Sequence, residues 1–239
     1  LPEQRQLFLV EIEDEKIAIS MTNETLLTSQ WFFKHFERLL SFSDGVFAIA
    51  ITLMVLTLGV PVLIGSSSGP YLVAGLIAEW PAFLGYFISF FVIGMWWIVH
   101  HRYFQYLTGF DFRLLWLNLL FLLCITLIPF LTNLIVVYHE SVLAVSLYAS
   151  FQALAGCFMF VIWKYSTDYH RFVDPSINPR FVRYLSLRTV STILSFLASI
   201  PIAIISPTAA QVSWVIIPFF HGFLVRHTPK GYQFNDIQP

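Results

Sequence analysis

The sequence predicts an all-α integral membrane protein with six transmembrane helices per chain. Three observations predict it. Only 11% of the 239 residues are charged and 57% are hydrophobic, against about 25% charged in an ordinary soluble domain, too few to cover a water-facing surface. Six stretches are apolar over enough length to cross the hydrocarbon core as helices, which takes about 20 residues each. Lysine and arginine are confined to alternate connections between those stretches.

The spans run from Phe42 to Leu63, from Pro81 to Val99 and on to His101, from Leu114 to Val137, from Val142 to Trp163, from Leu185 to Ile205, and from Ala209 to Val225. Ile64 to Gly69, rich in serine and glycine, is expected to be a flexible loop, and Pro70 to Glu79 a short interfacial helix. Pro81 suits the opening position of the second span. Pro129 and Pro201 are expected to kink the third and fifth spans, with neighbouring groups taking up the freed carbonyls. Tyr138 to Ser141 reads as a tight turn, and Ser206-Pro207 separates the last two spans, the sixth being short and containing Pro218. Lys164 to Arg188, with Asp168, Asp174, Pro175 and Pro179, reads as a charged connector within reach of lipid headgroups.

With six spans, all 13 lysines and arginines fall on one side of the membrane, and the opposite connections carry only Glu79 and Glu140. The positive-inside rule then places both termini in the cytoplasm of a multi-pass protein of the cell membrane. One span more or fewer would scramble that separation. Residues 1–30 are expected to form an N-terminal cytoplasmic segment, with 1–20 an extension ahead of Met21. Residues 31–230 form the helical domain and 231–239 a tail.

The function classes excluded are several. A net charge of −1 offers no basic stripe to nucleic acid. No Ser/His/Asp set, carboxylate pair, phosphate-binding loop or Cys-x-x-Cys is present, so no enzyme, cofactor or resident metal is expected. Cys124 and Cys157 lie in apolar runs and read as small buried residues. Asn118, Asn133, Gln152 and Ser199 read as interhelical hydrogen-bonding groups rather than ion ligands, and His221 is ambiguous. Phe-Ser-Asp-Gly occurs once and no internal duplication is visible, which weakens the reading as an inverted-repeat transporter.

The first span opens Arg38-Leu-Leu-Ser-Phe42-Ser43-Asp44-Gly45. An ionisable Asp44 at the membrane edge needs a partner, and Arg38 is the obvious local one. Gly45, Ile49, Thr52, Leu53 and Leu56 share one helical stripe. On periodicity alone that stripe packs against neighbouring helices. Likewise, Trp97 alone reads as a membrane-belt aromatic and His100, His101 and Arg102 as interfacial residues.

A resemblance changes that balance. Arg38-x-x-x-Phe42-Ser43-Asp44-Gly45 resembles the signature of the lysosomal potassium channel family. Trp97-Ile-Val-His100-His101-Arg102 resembles the Trp-x-x-His-His-Arg ending of its second helix. The family has bacterial and archaeal members with one six-helix unit per chain, and an animal form with two that also passes protons. The resemblance implies a homotetramer whose first helices surround a central pore for K⁺ over Na⁺, without a carbonyl filter. It places a pore-lining constriction at Ile49, further constrictions at Leu53 and Leu56, and a contribution to selectivity at Thr52. Arg38, Ser43, Asp44, Trp97, His100 and His101 would form a network fixing the pore helix, with either histidine as the inward one. The implied partners are further copies of the chain, the bilayer and permeant monovalent cations. K⁺ would pass transiently, and the Ile49 ring would act as a hydrophobic gate. Two rivals stand beside this reading. A secondary transporter of a small cation or solute would need a broken helix and polar ligands at mid-membrane, and the apolar middle of the first span disfavours it. The other is a non-conducting scaffold.

Overall fold

The structure, a computed structural model, describes residues 34–60 and 69–214. Residues Leu1–Phe42 and Ser43–Pro239 form two compact units. Residues 34–42 belong to the first, and the packing below is that of the second.

The elements are α1 (Lys34–Leu56), α2 (Gly69–Ala78), α3 (Trp80–Phe104), α4 (Phe112–Val137), α5 (Val142–Thr167), α6 (Pro179–Ile205) and a helix over 207–214, α7. Five of them, α1 and α3 to α6, are long and apolar enough to cross a membrane. The sixth predicted span begins within α7, and its remainder from residue 215 lies outside the described residues, as do 1–30 and the tail 231–239.

Local chemistry sets the helix ends. The Asp111 carboxylate accepts from the Leu114 amide at 2.9 Å to open α4, and Asn178 accepts from the Arg180 amide at 2.9 Å to open α6, with Pro179 in first place. Pro129 and Pro201 lie inside continuous α4 and α6. The segment 138–141 is the expected turn, and Glu79 alone separates α2 from α3.

Two boundaries differ from the sequence reading. α1 is already helical at Lys34, the first described residue, about two turns before Phe42. It also stops short of Leu63: Met54–Thr57 tighten into a 3-10 turn and Leu58 turns extended, at φ −82° and ψ 113°. Gly59 weakens the helix there, and Pro61 lacks an amide and biases Val60 away from helix. At the other boundary, the charged connector is much shorter than Lys164 to Arg188, because α5 runs on to Thr167 and α6 starts at Pro179. In α6, Phe181, Leu185 and Thr189 repeat every fourth residue on a buried face, so its polar first turns can be helical while their charges face outward.

That remaining connector folds back on the α3–α4 link. Leu107 pairs with Val173, and the Thr108 amide donates to the Phe172 carbonyl at 2.8 Å. The Tyr165 hydroxyl donates to Asp111, while the Arg171 guanidinium sits 4.2 Å above the Tyr165 ring. Burial works against the charge on Asp111. The Tyr165 hydroxyl, the Leu114 and Arg113 amides and Arg171 outweigh it and hold the carboxyl below its ordinary range.

Packing is densest around α5, which lies against both α4 and α6. Its buried face alternates alanines with Tyr148, Met159 and Trp163. At Gly156 the approach to α6 is so close that a Cβ would stand 2.7 Å from Ile193 Cγ1. Cys124 is buried as expected, whereas Cys157 is only half-buried. The hairpin order puts the end of α3, the start of α4, the end of α5 and the start of α6 together, with Arg102, Arg113, Lys164, Arg180 and Arg183 there and Glu79 and Glu140 at the opposite end.

Candidate pore-helix site

From Ser43 onward α1 has two faces. Ser43, Phe47, Ala50 and Met54 recur at helical spacing and are buried, Phe47 at 1% and Met54 at 0% exposure. Across the helix, Ile49, Leu53 and Leu56 are 59%, 47% and 75% exposed, and Gly45 and Thr52 are exposed with them. The Thr52 hydroxyl donates back to the helix, to the carbonyls of Ala48 at 2.9 Å and Ile49 at 3.0 Å.

The buried face is held by two sets of polar bonds. At the surface, the Trp97 indole N–H of α3 donates to Asp44 Oδ1 at 2.8 Å, and His101 stacks on that indole with ring centroids 5.8 Å apart. Beneath it, Asn118 of α4 bridges the other two helices. Its Nδ2 donates to Ser43 Oγ at 2.9 Å, and its Oδ1 lies 3.0 Å from His100 Nε2. A carboxamide oxygen only accepts, so in this arrangement His100 Nε2 carries the proton. Ser43, His100 and Asn118 are all essentially closed to solvent. Around the His100 ring, Phe104 stacks at 4.1 Å, Phe121 lies parallel at 5.8 Å and Phe47 meets it edge-on at 5.6 Å. Buried polar groups of this kind persist only when satisfied, which fixes the register of α1 against α3 and α4.

The structure thus distributes the expected network over two places. Asp44, Trp97 and His101 meet at the exposed edge, and Ser43 and His100 meet in the interior through Asn118. His100 is the histidine that faces inward, while His101 is exposed. Arg38 lies exposed in the other compact unit. Asn118 is the member that sequence reasoning gave only a generic interhelical role. Gln152 and Ser199 do bond between helices, accepting from the Trp96 indole at 2.7 Å and the Trp214 indole at 2.9 Å. Asn133 differs: it is exposed on α4 and makes no such bond among the described residues. No group of His, Cys, Asp and Glu suited to a metal ion occurs among the described residues.

The site's geometry can be set beside known proteins. Residues 38–129, which contain both motifs, match the family model described as endosomal/lysosomal potassium channel TMEM175. A potassium channel of Streptomyces collinus is 32% identical over 192 residues, spanning 78% of this chain and 91% of its own length. The chain belongs to the TMEM175 family. A second TMEM175 relative, a potassium channel of Chamaesiphon minutus, is 38% identical over 139 residues, 56% of this chain and 67% of that protein. The crystal structure of a lysosomal potassium-selective channel TMEM175 homolog from the same organism superposes with a TM-score of 0.66 at 28% identity, over 80% of this chain and 98% of that one. TMEM175 is an ion-channel family, so the chain is a membrane transport protein and not an enzyme.

Proposed function

We propose that this chain forms a potassium-conducting cation channel, with four copies placing the exposed face of α1 around a central pore. The observation that carries the reading is the division of α1. Its buried face is bonded to α3 and α4 through Asp44 and the Ser43–Asn118–His100 bridge, and its opposite face leaves Ile49, Thr52, Leu53 and Leu56 uncovered. A helix so held presents that stripe at a fixed angle. The names of the two bacterial relatives and of the solved homolog support potassium as the permeant ion.

In this reading α7 continues into a sixth span and both termini lie in the cytoplasm, at the cell membrane, in keeping with the lysines and arginines gathered at one end. The Ile49 ring is the tightest apolar point. It closes the pore by excluding water and penalises Na⁺ more than K⁺, because K⁺ gives up its hydration more cheaply. Thr52 oxygens replace part of the lost shell. Without a carbonyl cage, selectivity is modest.

Flux from proteoliposomes tests the reading. The wild-type chain should pass K⁺ in proportion to membrane potential, without saturation by a coupling ion. Ile49→Asn should raise conductance and lower the K⁺/Na⁺ permeability ratio toward unity. An unchanged ratio would remove Ile49 from the pore, and saturating ion-coupled flux would favour a transporter.

A further inference from the structure

We propose that the charged end of the α3–α6 contact is a binding site for a phosphate group, formed by Arg102, Tyr184 and Arg188. Tyr103 joins the two helices there. Its hydroxyl donates to the Leu185 carbonyl at 2.8 Å and also contacts the Thr189 hydroxyl. Arg102 precedes Tyr103 in α3, and Arg188 precedes Thr189 in α6. Tyr184 lies one turn before Arg188 and so on the same helix face. α3 and α6 run antiparallel, so the residues preceding Tyr103, Leu185 and Thr189 fall on the same side of the contact.

These three side chains share an unusual state. The Nε atoms of Arg102 and Arg188 and the Tyr184 hydroxyl are sealed from water, yet none has a hydrogen-bond partner among the described residues. An unpaired buried donor is costly, and a charged one more so. Among the described residues, the acids of the two connectors at this end are engaged elsewhere. Asp111 takes Tyr165 and the Leu114 amide, Asp168 takes Lys164, and Asp174 takes the Ser176 amide. Among the described residues, therefore, the two guanidinium Nε atoms and the Tyr184 hydroxyl have no acid bonded to them.

Arginine forks and a phenol suit a tetrahedral oxyanion with several acceptor oxygens better than a spherical anion. Their depth fits as well. Arg102 lies in the last turn of α3, and Arg188 follows the polar opening turns of α6, where half-buried stems let charged heads reach headgroup level. The phosphate can come from an anionic phospholipid or from solution.

Thermal unfolding of the full chain in neutral detergent distinguishes these sources. Micellar phosphatidylglycerol, diacylglycerol without phosphate, and inorganic phosphate would be titrated separately. Phosphatidylglycerol should raise Tm saturably and diacylglycerol should not. A saturable rise with inorganic phosphate as well would support the site and extend it to soluble phosphate. Arg188→Gln and Tyr184→Phe should each weaken half-saturation about tenfold, the value of one lost charge-assisted bond. Arg180→Gln, exposed at the same end, should leave it unchanged. Should Arg188→Gln fail to fold, Tyr184→Phe gives the same reading. The proposal is overturned if neither phosphate source produces a saturable shift, or if Arg180→Gln weakens it as much as the site variants do.

Discussion

α3 and α5 are both long apolar helices, yet half of α5's most apolar stretch is buried against 17% of α3's. α5 is held by close contact: alanines and Gly156 let α6 approach until backbone and side chain nearly touch. On the α1 side, α3 is held by a few directional bonds, from Trp97 to Asp44 and from His100 through Asn118 to Ser43. Dispersion packing needs extensive matched surface, whereas a buried hydrogen bond fixes orientation with little area. The molecule thus has a packed half, and a half whose geometry rests on polar pins and whose remaining apolar surface stays uncovered.

Substitutions can break that comparison. Asn118→Leu should have the largest effect, because one change removes both the bond to Ser43 and the bond to His100 in a dry interior. A loss of about 3 kcal/mol is expected, measured by reversible unfolding in mixed micelles. Gly156→Val tests the packed half. Ile193 must give way, and overpacking of this kind costs about 2 kcal/mol, with the α5–α6 contact loosening in hydrogen exchange while α1 protection holds. Trp97→Phe should cost least, about 1 kcal/mol, since Asp44 at the exposed edge regains water. If Gly156→Val proved more damaging to α1 than Asn118→Leu, the division into pinned and packed halves would be wrong.

Much of this architecture was legible because membrane solvation imposes length and composition on a span. The five long helices follow the apolar stretches, and Pro81 marks the start of α3 in both readings. Boundaries were legible only where they coincide with a change in polarity. α6 begins at Pro179, not Leu185, and the Asn178-Pro179 pair is an N-cap signal that could have revealed it. α1 is already helical at Lys34, well before its apolar stretch, because helical backbone does not require apolar side chains outside the hydrocarbon. Within the site, both motifs were visible as strings, but the grouping of their members was not. His100 and His101 are neighbours in sequence and separate in space, since successive helix residues point about 100° apart. Asn118 looked like any polar residue in a span, and its partner Ser43 is too far away in sequence for any local pattern to connect them.

One small feature on α1 has a sign attached to it. Because the Thr52 hydroxyl spends its proton on the helix carbonyls of Ala48 and Ile49, its oxygen presents lone pairs, not hydrogen, to the uncovered side. A ring of such oxygens in the proposed pore is a collar of dipoles with their negative ends inward. A collar of that kind sorts permeating species by charge before it sorts them by radius: it welcomes a partly dehydrated cation and offers a halide no donor in place of its lost water.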